Sequence, residues 1–546
     1  MNTLLTLLSD ARLRAFTEAG HWRDHTIYAL VAEHARQTPE KIAVRERDRA
    51  TTYGDLVDAA DRLAGALTRA GLRAGDRVAV WLPSRVETAV AVLACSRGGF
   101  VACPSLHRDH TVAEIAELVG RMRASAVLVQ AGYGADAENQ EIVAAVQELD
   151  HLKVIRVLEP PTPGPLFPDL PPAEPAAVRV DPNTVVYLAF TSGTTGQPKG
   201  VMHSDNTLLS PTRALAGDWS LDDRSCIYSL SPLSHNLGFG ALLLAITIGA
   251  EFVVHDLPRG AGLADRLRET GATFAFGVPT HAIDLLTELR AAPGAGLPGL
   301  RGFRISGAAV PPVVAQGLLD AGVVPQSGYG MTEAGSHHYT LPDDDPEMIV
   351  GSSGIACAGY EIAIFSREDS EQILPPGEVG QIGGRGASLM LGYFDDQTAT
   401  ESSFNAGGWF LTGDLGWMDE RGYLRITGRK KDVIIRGGHN IFPAKIENLA
   451  MRHPGVAKAA AVPVPDERLG EKVCLIVQMQ SGHEVDAQDM LAHLAQAGLS
   501  KYDMPEYLAA VDELPLMPSG KVLKRRLIDW MDEGRVSPVA VRSVRA

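Results

Sequence analysis

TSGTTGQPKG fills residues 191–200, and the reading of the whole chain turns on it. The run 185–190 just before it is apolar and β-branched, which reads as a buried strand ending in a tight glycine-rich turn. Three glycines, four hydroxyl side chains and Lys199 within ten positions give a backbone able to approach a polyanion, with donors and one cation to hold it. That composition points to phosphate binding. A Walker A loop requires G-x-x-x-x-G-K-S/T, but five positions on from Gly193 stands Pro198, so the P-loop spacing is not met.

The chain has 546 residues, 45% of them hydrophobic, enough for at least two cored domains. A net charge of -16 gives no electrostatic footprint for a nucleic-acid partner. The tail alone is locally basic, with Lys521, Lys524, Arg525, Arg526 and Arg535, and reads as a solvated helix face. The five cysteines are scattered without C-x-x-C spacing, which favours reduced thiols, a cytoplasmic setting and no zinc site. The N-terminus lacks a basic signal-peptide region, and the longest uncharged apolar stretch, 237–250, is too short to cross a bilayer, so no membrane segment is expected.

Helical and strand patterns alternate from residue 26 onward: helices near 26–35, 53–70 and 86–97, strands near 42–44, 77–82 and 126–129. Such alternation predicts a mainly parallel sheet with helices on both faces. Nine prolines between residues 159 and 182 predict a surface connection into the phosphate-loop strand. Further α/β units are predicted over 205–280, with Pro211 weakening the helix at 205–216, and beyond residue 351 short strands dominate.

Several strand ends carry candidate chemistry. Ser231-Pro-Leu-Ser-His235-Asn236 ends one strand; Arg304-Ile-Ser306-Gly307-Ala308 ends another. Ser327-Gly328-Tyr329-Gly330-Met331-Thr332-Glu333 reads as a strand-to-helix turn with a threonine cap. Trp409-Phe-Leu-Thr-Gly413-Asp414 places a carboxylate after a glycine turn, and Thr427-Gly-Arg429-Lys-Lys431-Asp precedes Val433-Ile-Ile-Arg-Gly437-Gly438-His-Asn. Near the end, Leu514-Pro-Leu-Met-Pro-Ser-Gly-Lys521 offers a lysine after a Pro-Ser-Gly turn.

Taken in this order, the motifs resemble those of the acyl-adenylate-forming superfamily, and most closely its AMP-forming acyl-CoA and aryl-CoA ligases. The likeness covers about residues 25 to 530. It implies an α/β fold: a large N-terminal domain (1–430) of packed mixed sheets with helices and a β-rich subdomain, and a small mobile C-terminal α+β domain (431–546). It implies ATP, Mg²⁺ and coenzyme A as reactants. Thr191, Ser192, Gly193, Thr194, Thr195, Gly196 and Lys199 would hold the β and γ phosphates. Gly307, Ala308, Ser327, Gly328, Tyr329, Gly330 and Met331 would surround the adenine, with Tyr329 packed on the purine. Thr332 would bond the α-phosphate, Glu333 would ligate the metal, Asp414 would accept from the ribose hydroxyls, and Arg429 would reach ribose and phosphate. Lys521 would be the catalytic lysine and His235 a catalytic pocket residue.

The same resemblance assigns His235, Asn236, Phe276, Gly277, Ser306, Gly307, Gly328 and Ala334 to the acyl pocket, Lys431 to the hinge, and Gly437 and Gly438 to the thiol channel. No pocket position would pair an amino group, and the small residues suit a ring or branched body, so the expected substrate is an aromatic, optionally hydroxylated, or alicyclic carboxylic acid. The alternatives are an aryl-acid adenylating enzyme that loads a carrier-protein phosphopantetheine, and a medium-chain fatty acid CoA ligase. Small-molecule partners are expected, and a homodimer is allowed.

Overall fold

The computed structural model describes residues 8–541 apart from 137–139, 173–177, 180, 192–197, 259–260, 293, 295, 309, 438, 485 and 518–520. The alternating first part forms two largely parallel sheets. In one, the parallel strands Val324–Met331, Gly302–Ile305, Phe274–Gly277, Cys226–Ser229, Glu251–Val254 and Ile42–Arg45 lie side by side, with antiparallel strands at both edges. In the other, Val185–Thr191, Val101–Cys103, Arg77–Trp81, Ala124–Gln130 and Val154–Leu158 run parallel.

A shared core joins the sheets. It draws Val78, Val80 and Leu128 from one sheet, Ile227, Phe252 and Phe276 from the other, and the helices Tyr53–Arg69, Val86–Gly98 and Asn236–Ile248 between them. This explains the hydropathy: Val86–Gly98 and Asn236–Ile248 are apolar nearly all round because they are packed on every side. Each fully buried leucine, such as Leu93 or Leu244, contributes about 1.5–3 kcal/mol of transfer free energy. Among the described residues no helix is long and apolar enough to cross a membrane.

Helix starts follow the sequence. Thr26 and Ser204 cap their helices through side-chain oxygens, and Thr52 forms a reciprocal capping box with Asp55. The helix Asp205–Asp218 persists through Pro211, which sits seven residues in and is buried in the core.

A four-stranded antiparallel sheet follows, ordered Tyr360–Phe365, Gly380–Gly386, Phe410–Met418, Leu424–Arg429. Beyond it the chain builds a separate sheet around Gly470–Met479, flanked by Val456–Asp466, Ile434–Arg436 and Tyr507–Val511. Its helices include Pro443–Ala450, Ala487–Gln496 and Lys524–Asp532. In the basic tail Arg525, Arg526 and Arg535 are exposed as expected and Lys524 is partly buried, with Lys524 paired to Glu447, Arg525 to Asp529, and Arg526 and Arg535 to Glu533; Lys521 instead is partly buried and desolvated. All five cysteines are free thiols and buried.

Candidate active site

Parallel strands deliver loops at their carboxyl ends, which is where ligands bind in α/β sheets. The strand Val185–Thr191 pairs antiparallel with Lys199–Ser204, with Thr191 opposite Lys199. Ser192, Gly193, Thr194, Thr195 and Gly196 lie outside the described residues. Lys199 places its ammonium over the Tyr393 ring, 4.7 Å from the centroid, and the Tyr393 hydroxyl donates to Glu333 Oε1 at 3.0 Å. Burial raises the Glu333 carboxyl above its usual range, while Tyr393, Arg429 and Lys199 pull it back. The phosphate-loop lysine and the candidate metal carboxylate therefore flank one tyrosine that sequence reasoning missed.

The Tyr329–Glu333 stretch corrects an expectation. It is not a strand-to-helix turn but the bend of a β-hairpin between Val324–Met331 and Gly335–Tyr339. The hairpin is closed by glycines. A Cβ on Gly330 would stand 2.3 Å from the Gly335 carbonyl oxygen, and Gly335 itself has φ +65. Thr332 caps no helix; instead its carbonyl accepts from His203 Nε2 at 2.7 Å, with His203 Nδ1 3.0 Å from Thr207 Oγ1. Burial pulls His203 down to about 4, so it stays neutral and donates from Nε2 at neutral pH.

Asp414 departs from expectation in a similar way. It lies within the strand Phe410–Met418 rather than after a turn, where Gly413 at φ +76 interrupts regular pairing with Gly380–Gly386. Tyr329 Oη donates to Asp414 Oδ2 at 2.8 Å and Arg429 Nε meets Oδ1 at 3.0 Å. The carboxylate is fixed in orientation, and each oxygen keeps capacity for one more donor. Tyr329 is buried against Ile364, Ile382 and Leu424, with His337 edge-on to its ring at 5.2 Å.

Lys521 comes from the C-terminal unit. Leu516 and Val522 pair across the loop and pack on the core of that unit, and Met517 N donates to the Lys521 carbonyl at 2.7 Å, which pins the lysine at the base of the loop; residues 518–520 lie outside the described residues. Desolvation and the nearby Arg429 lower its pKa, while Asp414, Glu333 and Asp432 raise it. His235 also feels its charge. Lys521 therefore lies near enough to Asp414, Glu333 and Arg429 to feel their charges.

On the acyl side, His235 caps the helix Asn236–Ile248, its Nδ1 accepting from Leu237 N at 3.2 Å, and burial lowers it to about 4. Its ring lies 6.3 Å from His107, which is itself lowered to about 4 and 3.1 Å from Ser234 Oγ. A cavity runs beneath Asn236 between the helices Asp205–Asp218 and Asn236–Ile248, with Gly240, Leu243, Thr212, Phe276 and Ser336 on its walls.

Not every predicted pocket residue faces it. A Cβ on Gly277 would meet Phe303 at 2.9 Å on the opposite side of the sheet, and Ala334 is fully buried in the core; of the residues expected around adenine, Ser327 Oγ donates to the Ile349 carbonyl. Gly328 makes room for a side chain of the protein: the Arg304 guanidinium lies over it. Ser306, Gly307 (φ +95) and Ala308 form the end of the strand Gly302–Ile305, with Ala308 exposed. Lys431 is exposed in the turn after Leu424–Arg429, and Gly437 donates to the Leu469 carbonyl at 2.7 Å at φ +56; Gly438 lies outside the described residues.

The sequence matches the AMP-binding enzyme family over residues 31–394 and the AMP-binding enzyme C-terminal domain over 445–521. It is 32% identical to a medium-chain fatty-acid–CoA ligase of Escherichia coli, covering 96% of this chain and 93% of that one. It is 34% identical to a methyl-dioxo-octahydroindenyl-propanoyl:CoA ligase of Mycobacterium tuberculosis, covering 92% and 98%. The ATP-bound crystal structure of MatB from Rhodopseudomonas palustris superposes with a TM-score of 0.83 at 29% identity, over 93% of this chain and all of that one.

Proposed function

Since the chain belongs to the AMP-binding enzyme family and is an acid–thiol ligase, we propose that it activates an aromatic or alicyclic carboxylic acid as the acyl adenylate and passes the acyl group to coenzyme A. The observation that carries this is the convergence of Lys199, Glu333, Asp414, Arg429 and Lys521, drawn from five separate segments, around one cleft, with a small cavity lined by Asn236 and Phe276.

A carboxylate leaves oxide poorly, and conversion to a mixed anhydride with AMP supplies a good leaving group. In the first half-reaction a carboxylate oxygen attacks the α-phosphorus of ATP and pyrophosphate departs. The nucleophile is already ionised near neutral pH, so no general base is needed, and the task is to bring two anions together. Lys199 and the 191–200 loop hold the departing phosphates; Asp414, fixed by Tyr329 and Arg429, holds the ribose; Lys521 bridges carboxylate and α-phosphate. Among the described residues no cluster of three or more His, Cys, Asp or Glu converges, so Mg²⁺ would take one carboxylate, Glu333, together with phosphate oxygens. When bound it supplies positive charge against the phosphates.

In the second half-reaction the thiol of coenzyme A attacks the acyl carbon and AMP leaves. Lys521 occupies the cleft needed by the incoming thiol, so the C-terminal unit must turn about Lys431 between the steps. The ring preference is supported by the bicyclic acyl group in the name of the mycobacterial relative and by Gly240, beside which a side chain would meet open space. A screen of carboxylic acids with ATP, Mg²⁺ and coenzyme A, read by thioester mass, tests the proposal. Ring acids should give acyl-CoA with AMP and pyrophosphate. Thioester from straight-chain acids alone would overturn the ring assignment.

A further inference from the structure

Arg304 is one of the largest fully buried side chains in the protein, and among the described residues no carboxylate forms an ion pair with it. Its Nη1 donates to Gln326 Oε1 at 2.5 Å, whereas Nε and Nη2 find no hydrogen-bond partner among the described residues. The neighbouring Gln326 Nε2, also fully buried, is a second donor without a partner. The other close group is the Tyr339 ring, 5.2 Å from the guanidinium, whose hydroxyl is turned away to Asp218 at 2.7 Å. Burial draws Arg304 down to about 10, which leaves it charged at neutral pH. An unpaired buried cation costs several kcal/mol, and arginine has five donors arranged to meet an acceptor pair. The site is rich in donors and poor in acceptors.

Its position follows from strand register. Phe276, Arg304 and Gln326 are partners across three adjacent parallel strands, so their side chains share one face of the sheet. Phe276 lines the acyl cavity from that face. Arg304 stands one strand further along the same face of the sheet, next to Phe276 and outside the cavity's own lining, and Gly328, two residues beyond Gln326, has no side chain, so the guanidinium spreads over it with Nη2 2.7 Å from where a Cβ would be. Two of the cavity's polar side chains are already engaged: Thr212 with Thr247 at 2.8 Å and Asn236 Nδ2 with the Met331 carbonyl at 3.5 Å.

We propose that Arg304, assisted by Gln326, is the specificity residue of the acyl site and receives an acceptor group, a second carboxylate or a ring carbonyl, carried by the acid at the end remote from the reacting carboxylate. This rests on the acid–CoA ligase reading and narrows its substrate: a ring acid with a second acceptor rather than a plain hydrocarbon acid. A carboxylate takes the bidentate pair Nε and Nη2; a carbonyl takes the same two donors without charge neutralisation.

The test is a panel of four acid types, ring or chain, each with and without a remote second acceptor, assayed for kcat/KM in acyl-CoA formation by the wild-type protein and by Arg304→Met. The wild type should favour the acceptor-bearing member of a ring pair by about 100-fold or more, since a site built to bond a polar group rejects the analogue lacking it strongly. Arg304→Met should collapse that ratio to within about tenfold. Comparison of the carboxylate and carbonyl members separates the two acceptor sources. Equal rates within each wild-type pair overturn the proposal without any variant, while leaving the ligase reading intact. A preference unchanged in Arg304→Met also overturns it. Acceptor-bearing chain acids preferred over every ring acid would keep Arg304's role and overturn the ring assignment. Absence of acyl-CoA from all four types would overturn both.

Discussion

Burial decides the charge state of several residues around the cleft. His203, His235 and His107 all lie near 4, and burial is the leading cause in each case. For His203 the sign is clear. The folded state holds its proton less tightly than the unfolded chain, where the ordinary value is 6.5, so between those values unfolding takes up protons. The stability contribution is fully present above pH 6.5 and is lost as pH falls toward 4, reaching on the order of 3 kcal/mol at the low end. His203→Gln, which keeps a side-chain donor but cannot titrate, should therefore lose less stability than the parent between pH 6.5 and 4.5, as read from denaturant midpoints. Parallel losses in the two proteins would contradict this account of His203. At the same scale, the residues hidden from sequence reading share a cause. Tyr393, His203 and Arg304 are ordinary members of apolar strands, and their roles arise from partners far away in the chain, Glu333, Thr332 and Phe276's neighbourhood, which no local period reveals.

Elements were legible where periodicity was strong. The helix expected at 53–70 is Tyr53–Arg69, and the strand expected at 77–82 is Arg77–Trp81. The failures came where glycine allows two outcomes. Tyr329–Glu333 has the composition of a helix start, yet the close approach of Gly330 to Gly335 makes a hairpin; Gly413-Asp414 has the composition of a turn, yet it is a strand irregularity. The turn at Lys431 and Asp432 carries the hinge proposal, since it joins the last strand of the large unit to the first of the C-terminal sheet. Proline at 431 fixes φ near roughly -65° and should trap one arrangement of the two units. Because Lys521 already lies in the cleft, the trapped state should be the adenylating one. Lys431→Pro should release pyrophosphate at near the parent rate while thioester output falls steeply. A stably folded Lys431→Pro making thioester at the parent rate would move the hinge elsewhere.

In the function proposed, two units supply different halves of one site: the large unit Lys199, Glu333 and Asp414, and the C-terminal unit Lys521 from a loop anchored by Leu516 and Val522. The order of motifs along the sequence made this division readable, because most of them lie at strand ends or tight turns, Asp414 within its strand being the exception. Which side chains face the acid was not readable, because facing depends on sheet register: Gly277 and Phe276 are adjacent in sequence and point to opposite sides. The central claim is that one chain performs two separable half-reactions and that Lys521 serves the first alone. The direct measurement is single-turnover chemistry with Lys521→Ala and the parent, following acyl-AMP formation from acid and ATP, and separately acyl-CoA formation from supplied acyl-AMP and coenzyme A. The account predicts that Lys521→Ala slows the first by about 10²–10³ or more, as for loss of a charge aimed at an anionic transition state, and leaves the second near the parent rate. Equal loss in both half-reactions, or an unimpaired first one, would contradict it.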